Sequence, residues 1–194
     1  MSHATGKSDM SLKLFLYNKI VSIIPETRCY QFKARMLGHC GYSVHYSARI
    51  VSSVKFIGAF DLFVGEDTFI GHDVFVAGGN CMISIGNACD LAPRVNLVAG
   101  SHEIDMAGAH SAGKGYSRDI IIEDGVWIGA SVTVLGGVRI GRKSVIAAGS
   151  TVTHDIPPYA IAAGIPCRVI KTWDPSSQCW YEVEDANNDA TIAC

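Results

Sequence analysis

Aliphatic residues recur every six positions through much of this chain, and that spacing decides what it can fold into. The longest run is Ile122, Ile128, Val134, Ile140, Ile146 and Val152. The same interval gives Val64, Ile70 and Val76, then Ile85, Leu91 and Leu97, with a weaker first set at Val44, Ile50 and Phe56. Glycine or alanine often follows at once, as at Gly65, Gly71, Gly86, Gly129 and Gly141. Four residues after the aliphatic one the side chain is again small or β-branched, as at Thr68, Val74, Val132 and Ser144. A period of six is neither the 3.6 of an amphipathic helix nor the alternation of a simple strand. It fits a short strand plus a turn, with one large side chain pointing inward per strand. Three such strands close a triangular coil, glycine takes tight corners, and coils stack as parallel strands roughly 4.8 Å apart. The sets beginning at 44, 64, 85, 122 and 140 predict an all-β fold, a parallel β-helix of about five coils. A β-sandwich would have to produce the same ladder by coincidence.

The flanks carry no such period. Residues 1–40 read as a helical cap: Leu12, Leu14, Leu16, Ile20, Ile23 and Ile24 recur at near-helical spacing until Pro25, and a second helix is expected around 27–37. A cap of this kind covers the open end of a β-helix, where unpaired strand groups invite edge pairing. The coils occupy 41–171, interrupted at 99–121 by an insert, "AGSHEIDMAGAHSAGKGYSRDII". Residues 172–194 form an irregular C-terminal extension whose acidic end (Glu182, Glu184, Asp185, Asp189) reads as solvated chain.

Bulk properties narrow the classes further. Charged residues are 18% and hydrophobic ones 48%, which marks a folded chain and not a disordered one. A net charge of -2 without a long basic run argues against nucleic acid. The 7 cysteines are scattered without a C-x-x-C pair, so they read as reduced and packed. No signal peptide is evident, and "LKLFLYNKIVSII" is too short to span a bilayer, so the expectation is cytoplasmic with no membrane insertion.

The segment "SVIAAGSTVTHDIPPYAIAAGIPCRVIK" resembles the hexapeptide-repeat acyltransferases, in their maltose, galactoside and polysaccharide acetyltransferase branch. The resemblance spans about 41–171 and implies a left-handed β-helix, a homotrimer with active sites between subunits, and acetyl-CoA as cosubstrate. Acetyl transfer needs a base as the nucleophile attacks, and histidine suits the role. "GSHEID" is similar to the family's catalytic histidine segment, which puts His102 in that position, with Glu103 first choice and Asp105 second to orient its ring. A backbone N–H at Gly129–Ala130 is the expected oxyanion donor.

For the cosubstrate, the resemblance implies Ala130, Ala148 and Thr153 along the pantetheine arm and Arg168 and Lys171 at the phosphates. Relatives often carry lysine after the threonine, whereas His154 stands here. For the acceptor, His72 and Asp73 occupy a place where relatives carry asparagine, and His110, Lys114, Tyr116, Arg118 and Trp127 are further candidates. "SHEIDMAGAHSAGKG" looks most like acetyltransferases of nucleotide-linked 4-amino-deoxysugars in surface-polysaccharide synthesis. The sequence leaves three alternatives open. One is O-acetylation of a sugar or polysaccharide hydroxyl. Another is a zinc-dependent hydratase using His72, His102 and His110, although no metal is the expectation. The last is a non-catalytic scaffold.

Overall fold

A computed structural model describes residues 4–183 and the pair 192–193; Glu184, Asp185, Asp189 and Cys194 lie outside the described residues. The repeat closes as the period requires, into a three-sided left-handed parallel β-helix. Each aliphatic ladder is one inner face. Val44, Val64, Ile85, Ile122 and Ile140 stand in register on the first face. Ile50, Ile70, Leu91, Ile128 and Ile146 do so on the second, and Phe56, Val76, Leu97, Val134 and Val152 on the third. All but Val44, which is partly buried at the open end, are buried. At about 1.5–3 kcal/mol for each fully buried side chain, this column is the main source of stability. The small residues four places on are buried too, and the hydroxyls among them are satisfied. Thr68 Oγ1 donates to the Gly86 carbonyl at 2.6 Å, and Ser144 Oγ to that of Pro157 at 2.7 Å.

Two helices cover the first coil, α1 at Ala4–Val21 and α2 at Tyr30–His39. Helix α1 buries Leu14, Tyr17 and Val21, while Leu12, Leu16 and Ile20, and Ile23 just past its end, stay exposed. Near-helical spacing alone does not separate the two sets. Packing selects one stripe from a helix that is apolar on several sides. Asn18 sits in that stripe and acts as a missing strand. Its side-chain amide donates to the Phe56 carbonyl (2.7 Å) and its Oδ1 accepts from the Phe56 N–H (3.3 Å), at the free edge of the third face. Between the helices, the Glu26 carboxylate accepts from Ser53 N–H (3.0 Å). The fully buried Lys33 donates to the Glu26 carbonyl (2.9 Å) and Ser52 Oγ (3.1 Å), and burial pushes its pKa down. Open-end polar groups thus find partners in the cap.

At the other end the chain departs from the irregular tail expected of 172–194. Strand Arg168–Asp174 pairs antiparallel with Ala160–Ala163, then Cys179–Glu182 pairs with it in turn, and Ile192–Ala193 adds a further short pairing. The last coil leaves a free edge on the second face, and this hairpin uses it. Asp174 makes the turn: Oδ1 accepts from Ser176 N–H (2.9 Å) and Ser176 Oγ (2.6 Å), bonds that hold its pKa below the usual carboxylate range. Among the described residues no helix is long and apolar enough to cross a membrane.

Candidate functional site

Every corner of the triangle has a position in the repeat, and one corner carries the insert. The chain leaves the third face after Asn96–Val98 and returns to the first at Ile120–Ile122. Between them stands an antiparallel hairpin, Gly100–Ile104 against Ala112–Ser117, where the sequence suggested an irregular loop. Its stem is tied to the coils. Ala99 N–H donates to the Ala77 carbonyl (2.8 Å), its own carbonyl accepts from Arg118 N–H (3.0 Å), and Ser117 Oγ accepts from Gly79 N–H (2.9 Å).

Where stem meets coil, an open pocket of ≈ 430 Å³ is lined by Gly79, Asn80, Gly100, Ser101, His102, Gly115, Tyr116 and Ser117. His102 faces Gly115 across the hairpin, and a Cβ at 115 would lie 3.5 Å from Nε2, so the ring rests on that strand. Asn80 escaped the sequence reading. It lies four residues beyond Val76, at the same third-to-first corner on the preceding coil, where the interval to the next ladder residue, Ile85, stretches from six to nine.

Other expected residues stand elsewhere, for identifiable reasons. Glu103 follows His102 where the hairpin register shifts between His102 and Ile104, and neither a hydrogen bond nor an ion pair joins its carboxylate to the ring. Asp105 is also occupied: Oδ1 accepts from Ala107 N–H (2.9 Å) and Gly108 N–H (2.8 Å), shaping the hairpin tip. Tyr116 lines the pocket, and the Arg118 guanidinium lies 5.1 Å from its ring centroid. His110 and Lys114 lie toward the tip, outside the pocket lining.

His72 and Asp73 occupy the second-to-third corner, not the insert's corner. His72 Nδ1 is 3.6 Å from Glu26 Oε2 of the cap, and Asp73 takes a left-handed turn conformation (φ 56°). Within one chain, no group of three metal-ligating side chains is gathered among the described residues, whereas the hydratase reading asks for His72, His102 and His110 to meet between subunits. Trp127, 56% exposed, lies on the outer side of the second face, away from the pocket.

The residues expected along the cosubstrate separate in part. Ala130 and Ala148 stack at the second-to-third corner on successive coils, where the Ala130 carbonyl accepts from Gly149 N–H (2.8 Å). Thr153 follows the last third-face strand, its Oγ1 2.8 Å from His154 Nδ1. The Gly129 N–H donates to the Ile146 carbonyl (2.8 Å), so it is not available to an oxyanion. Near the C-terminal hairpin, Ile161 pairs with Lys171 but Ala162 with Val169, which leaves Ile170 as a bulge. The extra residue resets the alternation and brings Arg168 and Lys171 to one outward face with Ile161 and Ala163. Lys171 Nζ pairs with Glu182 Oε1 at 2.9 Å, and Arg168 Nη1 donates to the Cys167 carbonyl at 2.9 Å. Two cations sharing one face suit a polyanion such as the phosphates of CoA.

Comparison with known proteins gives a consistent set of likenesses. Residues 119–154 match the family described as bacterial transferase hexapeptide (six repeats). The Saccharomyces cerevisiae protein YJL218W, provisionally named an acetyltransferase, is 32% identical over 85% of this chain and 81% of its own length. Galactoside O-acetyltransferase of Escherichia coli is 42% identical over 51% of this chain, and the match spans 48%, about half, of that enzyme. The crystal structure of a maltose O-acetyltransferase from Clostridium difficile superposes with a TM-score of 0.68 at 28% identity, covering 88% of this chain and 89% of that one.

Proposed function

The chain belongs to the hexapeptide-repeat acetyltransferases, and from that premise we propose that it moves an acetyl group from acetyl-CoA to a sugar, with His102 as general base. The observation that carries this is the pocket at the insert's corner. It gathers an imidazole, the Asn80 amide and backbone polar groups in one open recess at the stem of a tethered hairpin. In the reaction, His102 takes the proton from the acceptor as it attacks the thioester carbonyl. The tetrahedral oxyanion then collapses, the C–S bond breaks, and the imidazolium returns a proton to the CoA thiolate. Asn80 holds a sugar hydroxyl and replaces His72 and Asp73 in the acceptor role. Arg168 and Lys171 hold phosphates, with Ala130 and Ala148 beside the arm.

A sugar hydroxyl is the first acceptor to consider. Both the galactoside and maltose relatives are named as O-acetyltransferases, and a hydroxyl needs a base more than a neutral amine does. The second reading is a nucleotide-linked 4-amino-deoxysugar. Arg118 stacked on Tyr116 at the pocket favours it, because a cation beside a ring suits a phosphate and a base. Assembly is proposed to be a homotrimer, which would cover outward apolar side chains such as Trp127 and Phe63.

Steady-state kinetics with acetyl-CoA and matched acceptors test the reading, on protein whose mass has been measured by sedimentation. We expect turnover of a sugar by a trimer, and a higher kcat/KM for the nucleotide-linked amine only under the second reading. Equal values with and without the nucleotide would reject that reading, turnover of no sugar would reject the activity, and a fully active monomer would reject the assembly.

Replacing Arg168 and Lys171 together by alanine should raise KM for acetyl-CoA much more than it alters kcat. Contacts to phosphate lie far from the reacting carbonyl and bind ground and transition states alike. Most of the effect is expected from Arg168, since Lys171 is already paired with Glu182. A loss confined to kcat would contradict the assignment.

A further inference from the structure

The C-terminal hairpin builds a second pocket that the reaction described above leaves unused. Trp173 and Trp180 stand directly opposite each other on its two strands, ring centroids 5.4 Å apart and planes tilted by 58°. Lys143 and Tyr159 complete the walls of a cavity of ≈ 360 Å³. Tyr159 is fixed from both sides. Its N–H donates to the Arg142 carbonyl (2.9 Å), its carbonyl accepts from Trp173 N–H (2.7 Å), and the Arg142 guanidinium lies 5.9 Å from its ring centroid. Its φ of 58° is left-handed, the conformation taken at the first-to-second corner by Asp67, Ala88, Gly125 and Lys143 on earlier coils. A bulky ring is uncommon in that conformation. Here it puts an aromatic wall where the other coils carry small or flexible side chains.

The pocket shares a face with the two cations assigned to phosphate. Trp173 follows Lys171 at the next position on the outward side of its strand, and the bulge at Ile170 turns Arg168 to that same side. A ligand with its phosphates on Arg168 and Lys171 therefore meets three aromatic rings one step further along. Lys143 at the wall disfavours a cationic guest, and among the described residues no carboxylate lines the cavity. These features suit a neutral planar base attached to phosphates.

We propose that Trp173, Trp180 and Tyr159 form the adenine-binding pocket for acetyl-CoA. This rests on the acetyl-CoA reading above. The base stacks on the indole rings, so this hairpin, outside the six-residue repeat, selects the nucleotide end of the cosubstrate.

Two measurements test it, one independent of turnover. Titrating adenosine 3′,5′-bisphosphate should quench tryptophan fluorescence in the natural protein and in Trp180→Phe, and bind about tenfold more weakly to Trp180→Ala. In kinetics, Trp180→Ala should raise KM for acetyl-CoA by a similar factor. It should leave KM for S-acetylpantetheine, which has no adenine, unchanged; that second donor also shows that the coils remain folded. Unchanged bisphosphate affinity in Trp180→Ala overturns the proposal. So does an equal rise in KM for both donors, or quenching by a free sugar and not by the bisphosphate. If the natural protein transfers acetyl from neither donor, the acetyltransferase reading falls, and bisphosphate binding alone decides the pocket.

Discussion

His102→Ala should keep its fold and assembly while losing about 10²- to 10⁴-fold in kcat, the usual worth of a positioned general base. The loss corresponds to roughly 3–5 kcal/mol of barrier. Stability should hold because His102 is exposed on the hairpin and rests on a glycine, so truncation leaves no cavity in the core. Three readouts separate a catalytic role from a structural one. Thermal melting should match the natural protein. KM for acetyl-CoA should stay nearly constant, since the ring lies at a different corner from Ala130 and Ala148. His102→Gln, which keeps a polar side chain but has no base to take the proton, should lose as much kcat as the alanine variant. His102→Ala with full kcat at neutral pH would remove the residue from the mechanism. Glu103→Gln should have little effect, because neither a hydrogen bond nor an ion pair joins that carboxylate to the ring.

The ladder was legible because a solenoid writes one inward side chain per strand, and burial tolerates few substitutes there. Corner assignment was legible in principle and was missed. His72 follows a second-face residue, Ile70, whereas the insert follows a third-face residue, Leu97. Counting faces would have placed His72 and His102 at different corners, and Asn80 and the insert at the same one. The hairpin at the insert was not legible, because nothing in "GSHEIDMAGAHSAGKGYS" has the β-branched alternation that announces a strand. That hairpin is held by its stem contacts and the Asp105 turn rather than by burial of its own side chains. The Arg168–Lys171 pairing depended on a bulge, a backbone feature without a side-chain signature. At the C-terminal hairpin, the cue was two tryptophans flanking a Pro-Ser-Ser turn.

Gly136→Ala should cost both stability and rate, because this glycine supports the stem from the next coil. The register Thr133–Asn96, Val134–Leu97 and Leu135–Val98 carries Gly136 directly onto Ala99. A Cβ there would lie 2.4 Å from the Ala99 carbonyl oxygen, 3.0 Å from its carbon and 3.1 Å from its Cα. These are backbone atoms, so no rotamer change relieves the contact. Ala99 cannot yield alone, since it is buried and bonded through its N–H to Ala77 and through its carbonyl to Arg118. The added methyl must therefore lift both strands of the stem, and His102 with them. Overpacking of this kind costs about 1–3 kcal/mol, and displacing a catalytic group by about 1 Å can cost on the order of 10²-fold in rate. Gly65→Ala is the matched control. Its Cβ would come within 2.5 Å of the Gly86 backbone at the first-to-second corner, away from the insert. Both variants should melt earlier, but only Gly136→Ala should lose kcat per folded molecule. Equal rate loss in the two would mean that the coils as a whole set the activity, and an unaffected Gly136→Ala would mean that the stem does not position His102.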